Sequence, residues 1–296
     1  MRNTPTAFAL SEALSVYLLD HRASKHSKRT LEHYQTQLTP FLSWLEQNGV
    51  SDLSLIRPNH IRHYLIECSD RGLSEHSINT AARAIRAFLN FCVREEWLFK
   101  SPMTGVVMPK LPKLMPTVLT KEQVKKLIAS AESERDKAII LVLLDTGMRA
   151  SELCSLCGRD IDVGNGTVFV RKGKGGKDRM CFIGAKTVKA ILRYFAVRGV
   201  PQDTDAVWLS SLRRERLTLF GLAQMLERYG KRLGFQCNAH KLRRTFATEC
   251  LRSGMDIFTL QRLMGHEDTT VLKHYLAILD SDLREAHRRH GVVDNL

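Results

Sequence analysis

The sequence predicts a mainly α protein with a small antiparallel β-sheet, built as a helical amino-terminal domain followed by a mixed α/β carboxy-terminal domain. Three observations predict this. Apolar residues recur at the helical period along most of the chain. The period changes to that of strands only around Thr167 to Ile183. Four of the eight prolines, Pro102, Pro109, Pro112 and Pro116, crowd into fifteen residues and mark a division. At 296 residues the chain is also longer than one ordinary core supports.

The amino-terminal domain, residues 1–100, reads as four helices. Phe8, Leu10, Ala13, Leu14, Tyr17 and Leu18 share one helical face, as do Leu31, Tyr34, Leu38, Phe41, Leu42 and Leu45. Asn48-Gly49 closes the second of these segments. A shorter helix spans Asn59 to about Asp70 and ends at Gly72. The fourth, Ser74 to Glu96, turns Ile78, Ala81, Ala82, Ile85, Phe88, Leu89 and Cys92 inward. Ser77, Asn79, Arg83, Arg86 and Asn90 fall off that stripe, where a solvated face or a phosphate backbone would meet them. Proline removes a backbone donor and restrains the residue before it, so residues 101–116 are expected to be an extended linker.

The carboxy-terminal domain, residues 117–296, opens on Thr120-Lys-Glu-Gln123, a capping-box pattern ahead of a helix from Val124 to Ala131. A second helix covers Arg135 to Leu144. Thr167 to Arg171 is rich in β-branched and aromatic residues and reads as a strand. Lys172 to Asp178 is a glycine-rich turn, and Arg179 to Ile183 returns as a second strand. Asn165-Gly166 suggests a further tight turn, hence a small antiparallel sheet. Helices are expected from Lys186 to the end.

Charge points to the partner. Formal net charge is +14 and the pI about 9.7, which favours a polyanion. Residues 1–116 contribute a net +4 and residues 117–296 a net +10. The longest apolar run, Ala138 to Leu144, is far too short to span a bilayer, and no basic amphipathic helix suggests a membrane surface. The first residues lack the apolar core of a signal peptide. Seven scattered cysteines argue for a reducing compartment. A cytoplasmic location is expected. Cys154-x-x-Cys157 lacks a second Cys or His pair and reads as core cysteine, and no acidic cluster has metal-ligand spacing, so no metal and no cofactor are expected.

The residues that bear chemistry lie in the second domain. His240-Lys-Leu-Arg243 sets an imidazole and a guanidinium three residues apart, on one helical face, where both can hold one phosphate. Leu263-Met-Gly-His266 is followed nine residues later by Tyr275, a weak nucleophile unless its surroundings help it. Arg149 stands at a Thr-Gly helix stop before a new helix start, with Glu152 three residues on. Phosphodiester transfer needs an aligned nucleophile, donors for the developing negative charge and a proton for the leaving oxygen. Arginines meet the second need without a metal. Arg171 to Arg179 holds five cations and three glycines in nine residues; its tip can present a lysine as general acid, and chemistry alone does not separate Lys172, Lys174 and Lys177.

Thr-Gly-Met-Arg149-Ala-Ser-Glu-Leu, Gly-Lys174-Gly-Gly-Lys-Asp-Arg, His240-Lys-Leu-Arg243-Arg-Thr-Phe-Ala-Thr and Leu-Met-Gly-His266 with Tyr275 resemble, in order and separation, the tyrosine recombinase family, most of all its Xer-type members and mobile-element integrases. The resemblance covers almost the whole chain. It implies a core-binding, SAM-like DNA-binding domain ahead of the linker and a catalytic domain after it. It implies that Tyr275 attacks the scissile phosphate to form a 3′-phosphotyrosyl link, that Arg149 and Arg243 clamp the nonbridging oxygens, and that His240 and His266 add hydrogen bonds. Lys174 would protonate the leaving 5′ oxygen, and Glu152 would buttress Arg149. Arg83, Arg86, Lys172, Lys177, Arg179, Lys241 and Arg244 are expected DNA contacts. Arg244 stands where many members carry histidine.

The resemblance further implies four protomers on two double-stranded DNA sites, as a homo-tetramer or with a second recombinase, exchanging strands through a Holliday junction. The tail from Ser281 to His290 would dock on a neighbouring protomer. The rivals are a type IB topoisomerase, with similar tyrosine chemistry in a monomer, and a DNA-binding regulator of the same fold lacking catalytic residues.

Overall fold

The computed structural model describes residues 9–109, 117–171, 178–212 and 214–265. The chain divides into two compact units, Met1–Lys113 and Leu114–Leu296, each with its own hydrophobic core.

The first unit contains α1 (Leu10–Ala23), α2 (Lys28–Gln47), α3 (Pro58–Asp70) and α4 (Glu75–Arg94). Ser74 starts α4 by accepting from the Ser77 backbone N–H, satisfying one of the unpaired donors of a helix start. The predicted stripe of α4 is buried from Ile78 to Cys92, with Phe88 and Leu89 wholly enclosed. It packs with Leu38, Phe41 and Leu45 of α2 and Ile61 of α3.

Two expectations change here. Residues 101–109 fold back on this unit instead of extending. Pro102–Gly105 forms a 3-10 turn capped by the Ser101 hydroxyl, and Met103 and Val106 are buried in the first core. Burial of those two apolar side chains outweighs the extended preference of the prolines. Asn79, placed on the outer face of α4 by its spacing, is buried, with its amide donating to the Pro109 carbonyl at 2.7 Å. Arg83 and Arg86 are exposed, as the spacing requires.

The second unit contains α5 (Lys121–Ala129), α6 (Glu134–Thr146), α7 (Ala150–Ser155), strands β1 (Ile161–Asp162), β2 (Thr167–Val170) and β3 (Arg179–Phe182), then α8 (Ala185–Arg198), α9 (Leu219–Leu233), α10 (Ala239–Arg252) and α11 (Ile257–Met264). The strands form one antiparallel sheet in the order β1-β2-β3. Its inner face carries Val168, Val170 and Cys181, all buried. β1 is too short to be read from sequence.

Helix α6 is the axis of this unit. Ala138, Ile139, Ile140, Val142 and Leu143 are all 0% exposed, because α8 and α10 both pack against it. The expected helical run from Lys186 onward is interrupted: residues 199–212 and 214–218 are irregular, pinned by wholly buried Val207 and Trp208. Trp208 stacks on Tyr194 with ring centroids 5.4 Å apart.

Candidate active site

The site grows from the end of α6. Gly147 stops that helix in the left-handed region, φ +57°, and its N–H bonds back to the Leu143 carbonyl. Glycine is required twice over at this position. A Cβ would lie 2.2 Å from Cδ1 of Phe246 on α10, and the positive φ strains any L side chain. Phe246 fills the space a side chain would take, so the Thr-Gly and Arg-Thr-Phe motifs interlock.

Two residues later Arg149 is the N-cap of α7. Its backbone N–H donates to Glu152 Oε2 at 2.7 Å, and its Nη1 donates to Oε1 at 2.7 Å. The same carboxylate thus starts the helix and aims the guanidinium. Glu152 is 6% exposed. Burial pushes its carboxyl up, but hydrogen bonds and charge from Arg179 and Arg149 outweigh that and hold it at about 2.

Arg243 comes from α10, which Asn238 caps by accepting from the Lys241 N–H at 2.8 Å. Leu242, Arg243, Thr245, Ala247 and Thr248 face inward. The Arg243 side chain reaches the Gly147 carbonyl, and its Nη2 donates to the Met264 carbonyl at 2.9 Å. Three guanidiniums end on consecutive carbonyls of the α11 terminus. Arg179 Nε donates to Leu263 at 3.0 Å, Arg243 to Met264, and Arg149 Nη2 to Gly265 at 3.3 Å. A helix C-terminus offers unpaired carbonyls and a partial negative charge, which suits cations. Gly265 ends α11 at φ +62°, and the chain runs directly on to His266.

Arg179 corrects the sequence reading. It is not a free hairpin cation offered to DNA: its side chain is 10% exposed, and Nη1 and Nη2 donate to Glu152 at 2.9 and 2.7 Å. A bidentate pair with a buried carboxylate holds it in the site. Strand alternation carried the signal, since Arg179 shares the inward face with Cys181 and Ile183. On the other flank of the glycine-rich segment, Arg171 pairs with Asp160 at 2.6 Å.

His240 stands in the first turn of α10, one turn before Arg243. Partial burial and the charges of Arg244 and Arg243 hold its pKa below the ordinary 6.5, so it is neutral at pH 7. Lys241 and Arg244 are half-buried on the same helix. Lys172, Lys174, Lys177, His266, Tyr275 and the tail from Ser281 to His290 lie outside the described residues. Cys154 is buried and Cys157 accepts from Arg216 at 3.3 Å. Among the described residues no group of three or more His, Cys, Asp or Glu is placed to hold a metal ion. No helix among them is long and apolar enough to cross a membrane.

A buried carboxylate that aligns two guanidiniums, with a third beside them and a neutral imidazole one turn away, suits one class, the phosphoryl-transfer enzymes, whose developing negative charge such arginines can stabilise. Residues 117–282 match the phage integrase family, and residues 16–96 match the phage integrase N-terminal SAM-like domain. The chain is 33% identical over 291 residues to tyrosine recombinase XerA of Pyrococcus furiosus, covering 97% of this chain and 96% of that one. It is 31% identical over 276 residues to tyrosine recombinase XerC of Oceanobacillus iheyensis, covering 89% and 90%. A crystal structure of XerA recombinase aligns with a TM-score of 0.55 at 31% identity, over 95% of this chain and 98% of that one. A lambda integrase dimer bound to a COC′ core site shares the fold, with a TM-score of 0.74 at 19% identity over 92% and 78%. The chain belongs to the phage integrase family, and it is a site-specific tyrosine recombinase.

Proposed function

We propose that this recombinase cuts and rejoins double-stranded DNA through Tyr275, without a metal. The phenol oxygen attacks the scissile phosphorus, the 5′ oxygen leaves with a proton from Lys174, and a 3′-phosphotyrosyl link remains. Arg149 and Arg243 hold the nonbridging oxygens, while His240 and His266 donate further hydrogen bonds and assist proton movement at the tyrosine. The observation that carries this reading is the convergence of Arg149 and Arg243 on adjoining carbonyls of the α11 end, with Glu152 fixing the first. Guanidiniums so held supply the charge stabilisation a metal provides elsewhere.

The other tyrosines support the choice of nucleophile. The chain has six. Tyr17, Tyr64, Tyr194 and Tyr229 are buried at 4% exposure or less, and burial raises the phenol pKa of each, to about 12 for Tyr229. Tyr34 packs among Tyr17, His21 and His33 in the first unit.

Arg83, Arg86, Lys172, Lys177, Lys241 and Arg244 are proposed to contact the duplex. Four protomers on two sites would exchange strands through a Holliday junction, with the 281–290 tail docked on a neighbour. In EDTA, wild-type protein is expected to form a denaturation-resistant adduct with a nicked suicide duplex carrying its recombination site. Tyr275→Phe is expected to form none. An adduct in the variant would overturn the assignment of the nucleophile.

A further inference from the structure

Glu152 carries one negative charge and touches two guanidiniums. Its Oε1 accepts from Arg149 Nη1 at 2.7 Å and Arg179 Nη1 at 2.9 Å; its Oε2 accepts from the Arg149 backbone N–H and from Arg179 Nη2, both at 2.7 Å. The carboxylate is buried and the Arg179 side chain only 10% exposed, so water screens them little. Paired with Arg149 alone, the carboxylate would cancel that arginine's charge and draw its donors inward. Shared between two guanidiniums, it leaves one net positive charge on the trio. Arg149 is the more exposed of the two, at 26% against 10%, and is the one open to a phosphate.

Arg179 also lies where three segments meet. It opens β3, immediately after the glycine-rich segment. Its Nε holds the Leu263 carbonyl. Its stem fills the space a Cβ of Gly265 would need, with Cδ 3.0 Å from that position, and the Gly265 carbonyl is the one that receives Arg149.

We propose that Arg179 is a positioning residue for strand transfer: by neutralising Glu152 it leaves the charge and donors of Arg149 available to the scissile phosphate. The proposal rests on the tyrosine-transfer reading above. Its test is single-turnover covalent capture of a nicked suicide duplex, with duplex affinity and melting temperature measured for each variant of the full chain.

Arg179→Met is expected to bind duplex within about 3-fold of wild type and to capture it about 100-fold more slowly. Adding Glu152→Gln to Arg179→Met is expected to restore capture by about 10-fold, because the surplus carboxylate charge is gone. Arg179→Lys keeps the charge, loses the fork, and should fall between wild type and Arg179→Met. A role in folding alone gives the opposite sign, with the second substitution adding to the loss. Capture by Arg179→Met at the wild-type rate, or a double variant no faster than Arg179→Met, overturns the proposal. Should Arg179→Met not fold, equal capture by Arg179→Lys and Arg179→Gln overturns it instead. No capture by wild type defeats the tyrosine-transfer reading and this proposal with it. Wild-type capture that Tyr275→Phe abolishes leaves the reading standing whatever the Arg179 variants do.

Discussion

At the scale of single residues, the site depends on close approach and on charge balance. Gly147 permits the first. Gly147→Ala sets a Cβ against the Phe246 ring at a positive φ, and a loss of about 2–4 kcal/mol in unfolding free energy is expected from denaturant titration. Pairing it with Phe246→Leu should recover part of that loss. His240 reports the second. Its pKa lies below 6.5 because of partial burial, then Arg244 and Arg243. A base with a depressed folded pKa takes up its proton later than the unfolded chain does, so its contribution to stability is lost as the pH falls through 6.5 towards the lower folded value. The acid limb of the cleavage rate that His240→Ala removes is therefore expected below pH 6.5, and Arg244→Ala should shift it upward; a limb at or above 6.5 would contradict this electrostatic account. The helical positions of Arg149, Glu152, His240 and Arg243 were legible in the sequence, because local spacing sets them. It misled on Arg179, because a partner 27 positions away in the chain decides where that guanidinium goes.

Among the elements, α11 is the frame of the site. Its terminal carbonyls receive three arginines, and Leu260 and Met264 hold it against Ala247 and Leu251 of α10. Leu260 is wholly buried, so Leu260→Ala is expected to cost about 2–5 kcal/mol. Measured well below its melting temperature, the variant should also cut more slowly at unchanged duplex affinity, since the carbonyl row shifts with the helix. An unchanged rate would show that α11 does not organise the arginines. Most helices were legible because amphipathic periodicity and caps such as Thr120 with Gln123 are local properties. The 101–109 segment and the irregular residues around Trp208 were not. Each is fixed by a few buried side chains, Met103 and Val106 in one and Trp208 in the other, that reach cores assembled from distant parts of the chain.

On the scale of the whole molecule, the two units carry different parts of the task. The first exposes Arg83 and Arg86 on α4, the arginines proposed above to meet the duplex. The second holds the three converging arginines and most of the net positive charge. Charge and motif order were enough to read a polyanionic partner and a phosphoryl-transfer class. That Arg149, Arg179 and Arg243 meet at the α11 end needed the fold, because they come from three separate segments. The central claim is that these arginines serve an attack by Tyr275. Its most direct test is to digest the covalent adduct with trypsin and locate the DNA remnant by mass spectrometry. The expected remnant is a 3′-phosphate linked to Tyr275, within the peptide from His274 to Arg284. A remnant on any other residue, or a 5′ linkage, would contradict it.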